Sequence, residues 1–364
     1  MGSGALFSFP QIGIDAGSWG VIGYALSCVA GMALLGVRGS ILVRYHGSSF
    51  ADIWVGPYTR SVIGEGVTMS DVLLTLMPCR FASSRQRFGR VMQVYNGFIA
   101  IFFQFIALAS ELTCVGQLAT ILSPDSEPLI PIIAVAIITN IYLTIGGLRA
   151  SLSTDVWQGI GVLFLLFIVC LVMIFHVEIP KGAWSDTNIG AFTEAGFETL
   201  VTLVIAVAAS NMFFTGFWQR VYAGYDDAAV RRGAFYASVI IVPFTVALSI
   251  AGMVSYLVYP DGVAFFAILL DMGRGWQVLV AIVIASLASS ACDSIQIGIA
   301  AELVTCFPEH LNLTTARVIC FLLNVPAIVI AKQEYNILTL FLIGDLLCTA
   351  AVGPMLLSTW SRTT

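Results

Sequence analysis

The sequence predicts an all-α integral membrane protein, folded as one transmembrane unit over residues 1–364. Charge is the first reason. Only 10% of the residues are charged and 59% are hydrophobic, against about 25% charged in an ordinary soluble domain, so the chain cannot cover a globular surface with polar groups. The second is the grouping of apolar residues into runs that match a hydrocarbon core about 30 Å thick, which takes roughly 20 residues of helix to cross. The third is that these runs are continuous and do not alternate with period two. Lipid admits only helices or closed barrels, and the missing alternation selects helices.

The first apolar segment, about 2–14 (GSGALFSFPQIGI), is too short to span and is interrupted by Gly2, Gly4 and Pro10. Short, Gly/Pro-broken helices of this kind expose backbone groups that bind solute and ion in inverted-repeat transporters; they also occur as interfacial stubs. Full spans are expected at about 18–42, 94–121, 129–147, 152–175, 198–218, 233–258, 276–303, 314–331 and 336–359. Residues 47–90 form a long cytoplasmic connector. Its apolar run from Val72 to Pro78, followed by Arg-rich sequence, reads either as an interfacial helix on the cytoplasmic leaflet or as inserted sequence with no fixed structure.

Orientation follows from the basic residues. With the 43–93 connector inside, alternation puts all of the 16 Lys and Arg residues inside except Lys181, Arg274 and Lys332. The C-terminus is then cytoplasmic, and the plasma membrane is the expected location. A scattered set of eight cysteines without a CxxC or Cys/His cluster reads as small buried hydrophobes, not disulfides or metal ligands. There is no basic tail with interleaved aromatics, so nucleic acid is not an expected partner. His46, His176 and His310 are spread through loops and span ends, and no H-E-x-x-H, G-x-S-x-G or P-loop is present, so an enzyme is not expected. A channel is disfavoured because no filter-like loop is found.

The spans carry acids and, away from their ends, no Lys or Arg. Glu111, Asp293 and Asp345 lie within spans and Asp155 at the inner start of the 152–175 span. A charge in the bilayer costs a few kcal/mol even on the mild insertion scale, so each acid is either a functional group or a neutralised, hydrogen-bonded one. Several acids without a basic counterion make the interior electronegative and attractive to cations. Ser286, Ser289 and Ser290 share one helix face, where hydroxyls and a freed carbonyl can serve as hard oxygen ligands or, equally, allow close helix packing.

Three passages stand out as motifs: TIGGLRASLSTDVWQ at 144–158, GFWQRVYAGYDDAAVRRG at 216–233, and ASLASSACDS at 285–294. They resemble, in turn, the GGL-x-A…TD-x-x-Q signature of the fifth core helix, the WQR…A-RRG connector after the sixth, and the Ser/Thr pair of the eighth, in the sodium:solute symporter family. That family includes proline, glucose, pantothenate and urea carriers. MGSGALFSFPQIG resembles the outer half of its first core helix, so the likeness covers nearly the whole chain. The resemblance implies a LeuT-like inverted five-plus-five helix repeat with helices one and six broken at the midplane. Here Met1 falls about where the unwound joint should be, so the first helix is expected to be incomplete and its share of the sodium ligands missing. The resemblance further implies a sodium-coupled symporter of a small organic solute, with no cofactor besides the coupling sodium ion. Ser289 and Ser290 would give side-chain oxygens to sodium and Ser286 its carbonyl. Asp155 would stand on the inward release path, and Trp218, Gln219 and Arg220 would form a structural cytoplasmic corner. Solute would lie between helices one, three, six and ten, where position and polarity single out Glu111, Ser210, Asn211 and Asp345. Two alternatives stay open: a degenerate or non-transporting paralogue or sensor, and a proton-coupled carrier of a cationic solute. The identity of the solute and the oligomeric state are not legible in the sequence.

Overall fold

The computed structural model describes all residues except 1, 47–77, 176, 181, 185–188, 223, 225, 260–272, 308 and 361–364. The described residues are helices and short connections: α1 (Ala5–His46), α2 (Pro78–Leu122), α3 (Leu129–Phe175), α4 (Glu194–Phe213), α5 (Thr215–Tyr222), α6 (Asp227–Val258), α7 (Arg274–Cys306), α8 (Leu313–Ala331) and α9 (Ile337–Trp360). Seven stretches among them are long and apolar enough to cross a membrane, and Leu129–Thr144 and Ile337–Gly353 are shorter apolar helices. The chain is therefore a multi-pass membrane protein.

Several helices begin where a side chain closes the first turn. Asp226 accepts from the Ala229 amide (2.5 Å), Asn312 from Thr315 (2.8 Å) and Thr193 from Gly196 (3.0 Å), each supplying an acceptor to an amide that has no carbonyl one turn back. The two segments expected at the start of the chain form one helical run interrupted at Gly17. There φ is 59° and ψ is −151°, a conformation open to glycine and strained for L side chains. A Cβ at Gly17 would also come within 2.6 Å of the Ala191 carbonyl oxygen. The span expected at 198–218 is broken as well. α4 stops at Phe213, Phe214 takes extended backbone (φ −76°, ψ 99°), and α5 restarts at Thr215.

Helical conformation runs unbroken through the spans expected at 129–147 and 152–175. The run is nevertheless not straight between them. In a straight helix Tyr142 and Ser151 would stand about 13 Å apart and roughly half a turn out of phase. Both hydroxyls instead reach the same carboxylate, Asp293, at 2.5 and 2.8 Å. Helix α2 starts at Pro78, earlier than the expected span, so the Arg-rich end of the connector extends this helix. The run from Val72, read as an interfacial helix or as inserted sequence, falls outside the described residues up to that start.

Packing divides the helices into two groups. α1 folds onto α6 and α4, while α7 packs on α2 and α3, and α8 on α2. α9 touches both groups through α2 and α4. Small residues permit a close crossing between α1 and α6. A Cβ at Gly252 would meet the Pro10 Cα at 2.5 Å, one at Gly13 would meet the Ser249 carbonyl at 2.8 Å, and the Ser249 hydroxyl donates to Phe9 O at 2.9 Å. In lipid, where tails are as apolar as leucine, such close fit and interhelical hydrogen bonding hold helices together. The outer surface agrees: Ile130, Ile137, Phe164, Phe167, Ile174 and Trp157 are exposed, as lipid-facing residues should be.

Candidate functional site

The start of α1 is built around a carboxylate from another helix. Glu111, about three turns before the end of α2, accepts from the Ser3 amide (2.7 Å) and the Ser3 hydroxyl (2.6 Å), with the Gly4 amide at 3.4 Å. An anion is favourable here because the first amides of a helix have no internal acceptor and the dipole is positive at this end. Glycine at position 4 makes the approach possible: an added Cβ would press on the Phe341 ring at 2.5 Å and stand 3.3 Å from Glu111 Oε1. Phe341 lies one turn before Asp345 on α9, and Glu111 and Asp345 are both buried.

The sequence-derived solute residues fall into three contacts. Glu111 holds the start of α1. Asp345 has Ser210, near the end of α4, beside its carboxyl. Asn211 packs on α1, where a Cβ at Gly31 would overlap its amide. Among the described residues the ion pairs are Arg220–Asp155, Arg231–Asp227 and Lys332–Glu127, and neither Glu111 nor Asp345 takes part. Further out, a cavity of about 320 Å³ is lined by Phe7 and Gln11 of α1, Gln117 and Thr120 of α2, and Glu334 and Asn336 ahead of α9. Glu334 has φ 50° and accepts a 2.7 Å hydrogen bond from Thr120. The volume suits a small solute.

The seryl face of α7 meets both limbs of α3. Gln158 donates to the Ser286 carbonyl (3.1 Å), Tyr142 to the Ser289 carbonyl (2.9 Å), and the Ser290 hydroxyl to Asp155 (2.6 Å). Asp155 also pairs with Arg220 of α5, which reaches Ser294 at 3.1 Å and the Gly216 carbonyl at 2.9 Å. This corrects the expectation of acids without a basic counterion: Asp155 has one. The helix break at Phe214 lets the short α5 aim Arg220 at it, so the WQR passage is tied to Asp155 of α3. Asp293 is fully buried and held by Tyr142, Ser151 and Ser294 (3.0 Å). The structure thus joins Ser290 and Asp155 in one polar network with Asp293, and keeps Ser286 and Ser289 at its edge through their carbonyls.

No family model matches the chain. A spermidine transporter of Candida albicans is 26% identical over 372 aligned residues, taking in 99% of this chain and 66% of that protein. The chain thus spans just under two thirds of the length of this curated relative. Among solved structures, a Na+-coupled sialic acid symporter in a substrate-bound outward-open state superposes with a TM-score of 0.59 at 16% identity, covering all of this chain and 79% of the other. Both similar proteins are transporters and not enzymes. The second likeness gives the chain the all-helical fold of a membrane transporter.

Sequence reasoning missed Tyr142, an unremarkable polar residue in an apolar helix; Ser151 and Gln158 stood inside the quoted 144–158 passage, but no role was given to either. It also passed over Glu302, which stands within the span expected at 276–303 and is buried. The intramembrane-acid criterion that found Asp293 applies to it without change.

Proposed function

We propose that the chain forms the helical core of a sodium-coupled symporter of the sodium:solute type, working by alternating access on a small organic cation. The observation that carries the choice of solute is Glu111 seated on the amides that open α1. In transporters with broken helices such amide ends face the anionic group of the solute. Here the protein supplies that anion itself. A solute carboxylate would meet Glu111, whereas an ammonium group would find a buried carboxylate, with a second, Asp345, on α9. The similarity to a spermidine transporter supports a polyamine as the class, and sialic acid, which carries a carboxylate, fits this centre poorly.

Sodium coupling rests on the fold likeness and on the seryl face of α7. Ser289 and Ser290 offer hydroxyls, Ser286 its carbonyl, and Asp155 a negative charge at the inner exit. One observation favours proton coupling as a second reading: the Ser286 and Ser289 carbonyls and the Ser290 hydroxyl are each engaged by Gln158, Tyr142 or Asp155. Proteoliposomes containing the chain separate the readings. Labelled spermidine should accumulate under an inward sodium gradient, stop when the gradient is collapsed, and be competed by other polyamines but not by sialic acid. Asp345→Asn should lower that uptake at least tenfold with normal insertion. Competition by carboxylate solutes and indifference to polyamines would overturn the cation reading. Uptake that follows a proton gradient with sodium absent would overturn sodium coupling.

A further inference from the structure

Leading away from Glu111, α1 and α2 both reach the cavity bounded by the connection between α8 and α9. Phe7 and Gln11 stand one and two turns beyond Ser3, and Gln117 and Thr120 lie further along α2 than Glu111; all four line the cavity. Its acid is Glu334. This residue sits in the turn after α8 with φ 50°, a left-handed position that glycine or asparagine ordinarily fills. A glutamate there carries backbone strain, and strain of this kind gathers where a side chain is needed. The Glu334 carboxylate accepts a 2.7 Å hydrogen bond from the Thr120 hydroxyl. Its backbone is held as well, because Gln117 Nε2 donates to the carbonyls of Glu334 at 3.1 Å and Tyr335 at 3.0 Å. The carboxylate is thus fixed at both ends on the cavity wall.

The surroundings choose the charge of what binds. No Lys or Arg is among the described residues that line the cavity. Lys332, two residues before Glu334, pairs with Glu127 at 3.6 Å, with both side chains exposed. On α1, Gln11 donates to the exposed Asp15 at 2.8 Å, which puts a second acid one turn past the lining. A concave wall with charge of one sign raises the local concentration of the opposite sign, here of cations. Phe7, Ile337 and Leu338 supply apolar lining, which suits methylene groups between charges. The charge rule assigns this connection to the outer face, where a solute arrives.

We propose, on the reading of the solute as an organic cation, that Glu334 holds a second ammonium group of that cation and so selects linear polyamines over monoamines. The spacing fits. Thr120, the partner of Glu334, lies about 13 Å beyond Glu111 along α2 at 1.5 Å per residue. With about 2.8 Å for each ammonium–carboxylate contact, amines roughly 8 Å or more apart reach both acids. An extended triamine has that reach, and a molecule with one amine does not.

The test is equilibrium binding of labelled spermidine to the purified full chain in nanodiscs, with butylamine as the singly charged competitor. Glu334→Gln should weaken spermidine about tenfold and leave the inhibition constant of butylamine unchanged. Glu334→Gly should do the same. It removes the carboxylate and relieves the backbone, so it should fold at least as well as the unaltered chain. Spermidine affinity unchanged in both variants would overturn the proposal. Normal affinity in Glu334→Gly alone would overturn it too, by making Glu334 a turn residue, and so would equal weakening of spermidine and butylamine. The solute reading fails in a different way. Absence of saturable spermidine binding to the unaltered chain would remove that reading and this site with it. Spermidine binding that is lost in Asp345→Asn yet indifferent to position 334 would remove the second ammonium site alone.

Discussion

At the scale of single residues, the acids differ in what surrounds them, and that decides what each substitution does. Asp155 is paired with Arg220 and takes the Ser290 hydroxyl, with both charged side chains partly exposed. Breaking such a pair lies between the surface and buried limits, so Asp155→Asn should cost about 1–2 kcal/mol of stability. If Asp155 also guards the ion exit, the sodium concentration for half-maximal uptake should rise about tenfold, which corresponds to about 1.4 kcal/mol. The Asp155→Asn/Arg220→Gln pair separates the two effects. It should regain thermal stability in detergent while the altered sodium dependence remains. Sodium dependence equal to that of the unaltered chain would leave Asp155 as a latch for α5 only. Ser289→Ala plus Ser290→Ala should abolish sodium-stimulated uptake with normal expression, because alanine preserves helix packing and removes only oxygen; full uptake would leave those serines a packing role. Asp155, Asp293 and Glu111 were legible in the sequence because acids in apolar runs are conspicuous. Their partners were not, since Arg220 sits in a connector and Ser3 in a segment that reads as a stub, and only the fold brings them across.

At the scale of elements, the spans were readable from hydropathy and the special joints only in part. Gly2, Gly4 and Pro10 marked a broken first segment, whereas the interruption falls at Gly17; the resemblance implied a break in the sixth helix, yet NMFFTGFWQR, which contains no proline, does not itself locate the restart at Thr215. The convergence of the Tyr142 and Ser151 hydroxyls on Asp293 had no signal in the sequence at all. Tight crossings make a sharper prediction. Gly252 meets the backbone of Pro10, which cannot swing aside as a flexible side chain would. Gly252→Val should therefore force α1 and α6 apart at a cost of about 1–3 kcal/mol, seen as a lower melting temperature and a smaller monodisperse fraction in detergent. Gly233→Ala, in the same helix with open space beside it, should be tolerated. Equal behaviour of the two variants would show that the crossing is not close-packed.

At the scale of the whole molecule, the structure brings together loops that the charge rule assigns to one side. Lys332 pairs with Glu127 at 3.6 Å, and Gln117 reaches the Glu334 and Tyr335 carbonyls, so the connections after α2 and α8 share a face. Arg90 and Gln93 reach the Cys306 and Thr305 carbonyls and join the opposite ends of α2 and α7. Which face is cytoplasmic is testable at the sequon Asn312-Leu313-Thr314, whose asparagine caps α8. The positive-inside map leaves it unglycosylated in a eukaryotic host, and glycosidase-sensitive mass at Asn312 would invert the map from α7 onward. The grip of Tyr142 and Ser151 on Asp293 has a mechanical consequence for this assembly. Both limbs of α3 are pinned to one carboxylate of α7, so these elements can only travel as a block. Spin labels placed on α3 and α7 should keep a single, narrow separation when sodium and solute are added. Labels on α1 and α7, which belong to different packing groups, should show two separations whose populations exchange. Broadening of the α3–α7 distance on Ser151→Ala would identify that hydroxyl as one of the rivets.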